Sequence, residues 1–302
     1  MPIPQVLVIG VGSIGERHTR CFLATGRARV AIVELNAMLR REVAERYNVI
    51  QFDSLDAALC DPPQVAVVCT PAPTHIPLAT TLVEAGAHVL IEKPLSTSLD
   101  GIDRLSQLAA DRGRTLAVAY VLRAFPELIA FRDRIRSGAF GRPLELTMVG
   151  GQHFPTYRPA YRQIYYNRRE TGGGAIQDAL THMLNLGEWL VGPIRRLVCD
   201  AEHLALPGVD VEDTVHLLAR HAPNDGAADS PEMATVLGSY ALNQHQAPNE
   251  TVLQVVCERG TARCELHRQR LLWMTQPGGE WQTQDFGPRE RDVGYIAQAH
   301  AF

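Results

Sequence analysis

Nearly unbroken apolar runs punctuate the first part of the chain: Val6-Leu7-Val8-Ile9-Gly10, Val30-Ala31-Ile32-Val33-Glu34, Val65-Ala66-Val67-Val68-Cys69, His88-Val89-Leu90-Ile91-Glu92 and Thr115-Leu116-Ala117-Val118-Ala119. Runs of this kind are strands covered on both faces. Helix-like stretches separate them: one running to Thr25 with Gly26 at its C-cap, one from an Asn36 N-cap towards Tyr47, and one stopping at Gly86. Strand and helix in strict alternation predict an α/β fold with a doubly wound parallel sheet over residues 1–119.

From about residue 120 the rhythm changes. A helix is predicted over Pro126–Ser137, ending at Gly138, then a strand over Leu144–Gly150, then a Tyr/Arg-rich segment from His153 to Arg169. Ile176, Leu180, Met183, Leu184, Leu190 and Val191 fall on helical spacing, which predicts a long helix over Ala175–Val191 stopped by Gly192-Pro193. Strands are then expected at Arg196–Cys199, Thr214–Arg220, Ala234–Leu242, Thr251–Glu258, Thr261–Leu266 and Arg270–Thr275, with an exposed loop over Pro223–Pro231. Consecutive strands on short turns predict a second α/β domain, residues 120–302, with a large, mainly antiparallel open sheet.

Composition narrows the function. The 302 residues are 46% hydrophobic and carry a formal charge of -4, so no basic footprint for nucleic acid is expected. No apolar run approaches the roughly 18 residues of a membrane span. The N-terminus runs straight into a strand without a basic leader, so a cytoplasmic location is expected. None of the six cysteines forms a CxxC pair, and neither disulfides nor a metal site is expected.

Gly10-Val11-Gly12-Ser13-Ile14-Gly15 is a GxGxxG motif that follows a predicted strand and opens a predicted helix. Gly10 allows the tight turn, Gly12 the close approach of a pyrophosphate, and Gly15 the close packing of helix on strand. Glu34 ends the second strand, 19 positions after Gly15. A carboxylate there accepts hydrogen bonds from ribose hydroxyls and repels a 2′-phosphate, which favours NAD over NADP. Arg40 and Arg41 on the next helix keep dual specificity open.

Two further groups carry candidate chemistry. Lys93, in Glu92-Lys93-Pro94, follows a predicted strand on the side where α/β sheets bind ligands. It can hold a substrate hydroxyl and stabilise a developing oxyanion, or carry a proton itself. Asp178 and His182, four residues apart after Gly172-Gly173-Gly174, share a helix face. A His oriented by an Asp suits proton transfer to and from a hydroxyl; a helix-surface ion pair is the alternative. The three glycines signal the close approach of a ligand or of another chain segment.

Together these pieces resemble the Gfo/Idh/MocA family of glucose–fructose oxidoreductase and inositol dehydrogenase. Gly10 to Gly15, Glu34, Cys69-Thr70-Pro71-Ala72-Pro73-Thr74-His75, Glu92-Lys93-Pro94, Ser137 to Pro143, and Gly172 through Asp178 and His182 match in the family's order. The resemblance implies a Rossmann domain, NAD as cofactor, and a sugar, polyol or sugar-derived substrate. It also implies a homodimer or homotetramer formed through the C-terminal sheet. It places Lys93, Asp178 and His182 around the reacting carbon, and Thr70, Pro71, His75 and Glu92 along the cofactor. Tyr120 and Arg123 are expected near cofactor or substrate. Tyr157 and Arg158 are expected to contact substrate, in a segment similar to that of members linked to sugar nucleotides.

The resemblance departs at Asn185, where the family often has an Asp, which speaks against inositol-type recognition. It departs again after Gly294, where a longer helix is expected than the one ending at Phe302. A redox-neutral cycle with retained NAD, and a non-catalytic NAD-binding regulator or scaffold, are the other readings the residues allow.

Overall fold

The computed structural model describes residues 3–222 and 235–302. The expected loop at Pro223–Pro231 and the start of the strand expected at Ala234 lie outside them. The chain folds as two compact units. The first holds residues 1–121, 170–172 and 291–302; the second holds 122–169 and 173–290.

In the first unit the elements run β1 (Gln5–Ile9), α1 (Ser13–Ala24), β2 (Arg29–Val33), α2 (Ala37–Tyr47), β3 (Ile50–Phe52), α3 (Leu55–Leu59), β4 (Val65–Val68), α4 (His75–Glu84), β5 (His88–Ile91), α5 (Ile102–Asp111) and β6 (Leu116–Val118). All pairs are parallel, in the order β3-β2-β1-β4-β5-β6. The five expected strands are present, because their apolar side chains feed buried clusters on the two faces of the sheet. β3 and α3 were not expected: β3 is three residues long and largely exposed, and α3 is a five-residue helix whose one buried residue is Ala58. The strand order reverses between β1 and β4, and such a switch point opens a crevice at the C-terminal strand ends. Asn36 caps α2 as expected, its side chain accepting from the amides of Met38 and Leu39.

The second unit contains α6 (Pro126–Arg136), β7 (Pro143–Gly151), α7 (Phe154–Tyr157), α8 (Thr181–Val191) and strands β8 (Ile194–Glu202), β9 (Thr214–His221), β10 (Val236–Asn243), β11 (Glu250–Cys257), β12 (Gly260–Glu265), β13 (Arg270–Met274) and β14 (Gln282–Asp285). The strands form one sheet ordered β14-β13-β12-β11-β7-β10-β9-β8. Among the described residues of this sheet, only the β7–β10 pair is parallel. β9 alternates buried and exposed positions, the mark of a sheet with one covered face. That face packs with α6 and α8 around Leu128, Phe131, Leu186 and Leu190. The opposite face leaves Val198, Leu218 and Leu237 about half exposed or more.

The helix expected over Ala175–Val191 requires a correction. It opens as a π-helical turn over Ile176–Leu180 and becomes α-helical only at Thr181. Such turns carry an extra residue and recur at functional sites.

The last residues form α9 (Val293–Ala301), which packs on α1 within the first unit. Tyr295 stands edge-on to His18 at 5.6 Å, and Asp292 takes hydrogen bonds from Arg20 at 2.5 and 2.8 Å.

Candidate active site

The first unit supplies a cleft of about 670 Å³ lined by Gly10, Gly12, Glu34, Leu35, Leu55, Thr70, Pro71, Pro73 and Pro77, among others. Each glycine of the loop is required for a different reason. Gly10 has a positive φ of 79°. A Cβ on Gly15 would lie 1.8 Å from the Gly10 carbonyl oxygen, so α1 could not sit on β1. A Cβ on Gly12 would meet nothing within 4 Å. The protein's own packing does not need Gly12, and the space above it fits a pyrophosphate. Ser13 and Ile14 form the first turn of α1, whose amides point at that space.

Glu34 is held in place. One carboxylate oxygen accepts from the Val11 amide at 3.0 Å and the other from the Asn36 amide at 2.9 Å. Each oxygen keeps a lone pair for a ribose hydroxyl. Arg40 donates to the Glu34 carbonyl at 2.8 Å. With the acid so fixed, a 2′-phosphate would meet a negative charge. Glu34→Ser is therefore expected to lower the ratio of NADP to NAD dissociation constants by at least ~10-fold. Fluorescence titration of both reduced cofactors checks this, and an unchanged ratio would remove Glu34 from cofactor selection.

Thr70 and Pro71 line the same cleft, the Thr70 hydroxyl lying 2.6 Å from that of Thr74. His75 is buried instead. Its Nδ1 lies 3.0 Å from the Pro94 carbonyl oxygen and its Nε2 2.7 Å from that of Thr70. It ties the end of β4 to the turn carrying Lys93, so its bearing on the cleft is indirect. Tyr120 is half-buried just after β6.

Glu92 also points inward, at 6% exposure. His18, which sequence reasoning missed, sits 2.7 Å from its carboxylate. The second carboxylate oxygen accepts from the Lys93 amide at 3.1 Å. Burial alone would push the Glu92 carboxyl up. The His18 hydrogen bond and charge, with the Lys93 charge, outweigh that and hold it below the usual carboxylate range. The resulting stabilisation is present above that range and is lost as pH falls through and below it. His18→Ala would leave a buried charge without its partner and is expected to lower stability by ~3 kcal/mol. Denaturant unfolding checks this, and an unchanged midpoint would contradict it. Lys93 itself is half-buried, and its peptide to Pro94 is cis.

The second unit carries Asp178 and His182. Asp178 is 2% exposed. Its Oδ1 accepts from the Tyr165 hydroxyl at 2.6 Å and its Oδ2 from Arg158 at 3.2 Å. The surface ion pair considered above is thus not the setting of Asp178. Burial and the neighbouring Asp178 charge push the Tyr165 phenol far up, so Tyr165 remains a donor. Arg158 lies over the Phe154 ring at 5.2 Å, with its side chain about half exposed, and Tyr157 is half exposed beside it. Tyr165 is the residue that sequence reasoning did not single out, although it lies in the Tyr/Arg-rich segment. His182 is half-buried one turn after Asp178. Arg123 belongs to this unit and donates to the Asn185 side chain at 2.8 Å, at the very position where the family resemblance breaks.

The glycine triplet answers to chain segments. A Cβ on Gly173 would fall 2.2 Å from the Tyr166 carbonyl oxygen, and one on Gly174 would fall 2.4 Å from the Glu212 carboxylate.

Comparison with known proteins gives the family. Residues 5–120 match the domain described as oxidoreductase family, NAD-binding Rossmann fold, and residues 128–263 match the GFO/IDH/MocA C-terminal domain. The chain belongs to the Gfo/Idh/MocA family of oxidoreductases. It is 30% identical over 185 residues to the UDP-N-acetylglucosamine 3-dehydrogenase of Acidithiobacillus ferrooxidans, covering 61% of this chain and 53% of that protein. It is 32% identical over 188 residues to an inositol 2-dehydrogenase of Rubrobacter xylanophilus, covering 61% and 51%. The chain thus spans about half the length of the curated relatives it matches. A levoglucosan dehydrogenase solved in complex with NADH shares the fold, with a TM-score of 0.85 at 21% identity over 98% of this chain and 88% of that one. Among the described residues no helix is long and apolar enough to cross a membrane.

Proposed function

We propose that this chain is an NAD(H)-dependent oxidoreductase that moves a hydride between the nicotinamide and a hydroxyl-bearing carbon of a sugar, polyol or sugar-derived substrate. The observation that carries the reading is the cleft at the strand ends, where an open Gly12 and a tethered Glu34 fit the pyrophosphate and ribose of a dinucleotide. When bound, NAD supplies the two-electron acceptor. The glycine loop holds its phosphates, and Glu34 its adenosine ribose. Lys93 holds the substrate oxygen and stabilises the negative charge that grows on it. His182 takes the hydroxyl proton as the C–H bond breaks and the C=O bond forms, and returns it in the reverse direction.

Asp178, fixed by Tyr165 and Arg158, orients His182 and balances its charge once protonated. Tyr157 and Arg158, from the exposed part of the Tyr/Arg-rich segment, contact the substrate. In our reading the open apolar face of the second sheet, around Val198, Leu218 and Leu237, meets another copy of the chain in a homodimer or homotetramer. The absence of CxxC pairs suits a reducing compartment, and the cytoplasm is the one we assign. A panel of inositols, anhydrosugars and nucleotide sugars, each incubated with NAD and followed by nicotinamide absorbance, tests the reading. Reduction by at least one sugar-like alcohol is expected. Inertness towards every member, with intact NADH binding, would favour a non-catalytic role.

A further inference from the structure

Glu212 takes no part in the chemistry just described, yet its carboxylate is buried at 4% exposure beside the helix that carries Asp178 and His182. Burying a charge is costly unless hydrogen bonds compensate, and here they do. One oxygen accepts from the Ile176 amide at 3.1 Å and the other from Arg169 at 3.0 Å, while the Glu212 backbone carbonyl accepts from the Ala175 amide at 2.9 Å. Ile176 is the first residue of the π turn. A carboxylate at a helix N-terminus satisfies an otherwise unpaired amide and meets the positive end of the dipole. Gly174, with φ 90°, leaves the carboxylate room that any side chain would take.

We propose that Glu212 is a positioning residue. Entering from the loop before β9, it caps the π turn and so fixes the rotation at which Asp178 and His182 leave the helix. The proposal rests on the reading that these two residues act on substrate. A slip of the helical register by one residue would turn each following side chain by about 100°. Glu212 lies 34 residues beyond Asp178, in a Val-Glu-Asp-Thr stretch with no helical signal of its own.

Hydrogen exchange of the amides of residues 176–182, in the intact protein without ligand, tests the cap directly. In Glu212→Ala these amides are expected to exchange at least ~10-fold faster than in the wild type. Glu212→Gln, which keeps an oxygen for the Ile176 amide, is expected to restore most of the protection. Arg169→Ala, at a side chain 68% exposed, loosens the carboxylate without emptying its place and should speed the same amides if the alanine variant does not fold. With an active substrate, kcat of Glu212→Ala is expected to fall ~100-fold, with NAD binding unchanged and kcat recovered in the Gln variant. Unchanged exchange in both the Glu212 and Arg169 variants, or a folded Glu212→Ala with wild-type kcat, would overturn the proposal. A wild-type protein inactive on every sugar would sink the functional reading and leave the exchange result standing.

Discussion

Alanine at Gly15 is expected to cost the protein its hold on the dinucleotide. The added Cβ would lie 1.8 Å from the Gly10 carbonyl oxygen, 2.9 Å from its carbon and 3.2 Å from the Cys69 side chain. The first two are backbone atoms of the phosphate loop and have no rotamer to escape into. Relief must come from moving α1 away from β1, which carries the Gly10–Gly12 turn and the free amides of the helix with it. Overpacking of this kind costs typically 1–3 kcal/mol of stability. A displaced loop adds a loss of cofactor affinity of at least ~100-fold. Gly12→Ala provides the contrast, since nothing in the protein contacts a Cβ there. It should melt like the wild type and still bind NADH poorly, because only the ligand needs that space. Fluorescence titration with NADH beside thermal melting checks both variants. Tight NADH binding by Gly15→Ala would show that the loop is not the phosphate site.

The second large effect concerns Lys93 and His182. Replacing either, Lys93 by Met or His182 by Asn, is expected to lower kcat by ~1,000-fold, the middle of the range for a lost general acid–base or electrostatic group. The two variants differ in their pH profiles. If His182 carries the proton, His182→Asn should erase the ionisation that limits kcat/KM, and Lys93→Met should retain it at a lower plateau. The opposite pattern would assign the proton to Lys93, and full activity in His182→Asn would remove that residue from the chemistry. NADH binding should survive His182→Asn, because the loop and Glu34 are untouched.

How much of this was legible from the chain follows from what each residue packs against. The apolar runs of β1, β2, β4, β5 and β6 announced themselves because they feed the buried clusters on the sheet's faces. β14, Gln282 to Asp285, is exposed at every position and exists only because it pairs with β13, so no hydrophobic pattern could show it. β3 is three residues long and equally silent. The π turn at Ile176 escaped notice because the apolar spacing further along the helix is preserved; what changes is a backbone hydrogen-bond pattern.

At the site, the GxGxxG motif and Glu34 were legible because they are close in sequence and tied to the strand ends. Asp178 was found by its spacing from His182. Its observed partners Arg158 and Tyr165 lie 20 and 13 residues earlier, in a segment of short helical turns with no periodicity. His18 lay inside an ordinary helical stretch, and only the fold sets it against Glu92. The glycine triplet was read as a sign of close approach, and the groups that approach are the Tyr166 carbonyl and the Glu212 carboxylate.

Transfer of deuterium from a substrate labelled at its carbinol carbon tests the central claim most directly. On incubation with unlabelled NAD and the wild-type protein, the label is predicted to appear on C4 of the nicotinamide, with a carbonyl left at the labelled carbon. A carbonyl product formed with the label released to water, or a reduced cofactor carrying none of it, would contradict hydride transfer at this site.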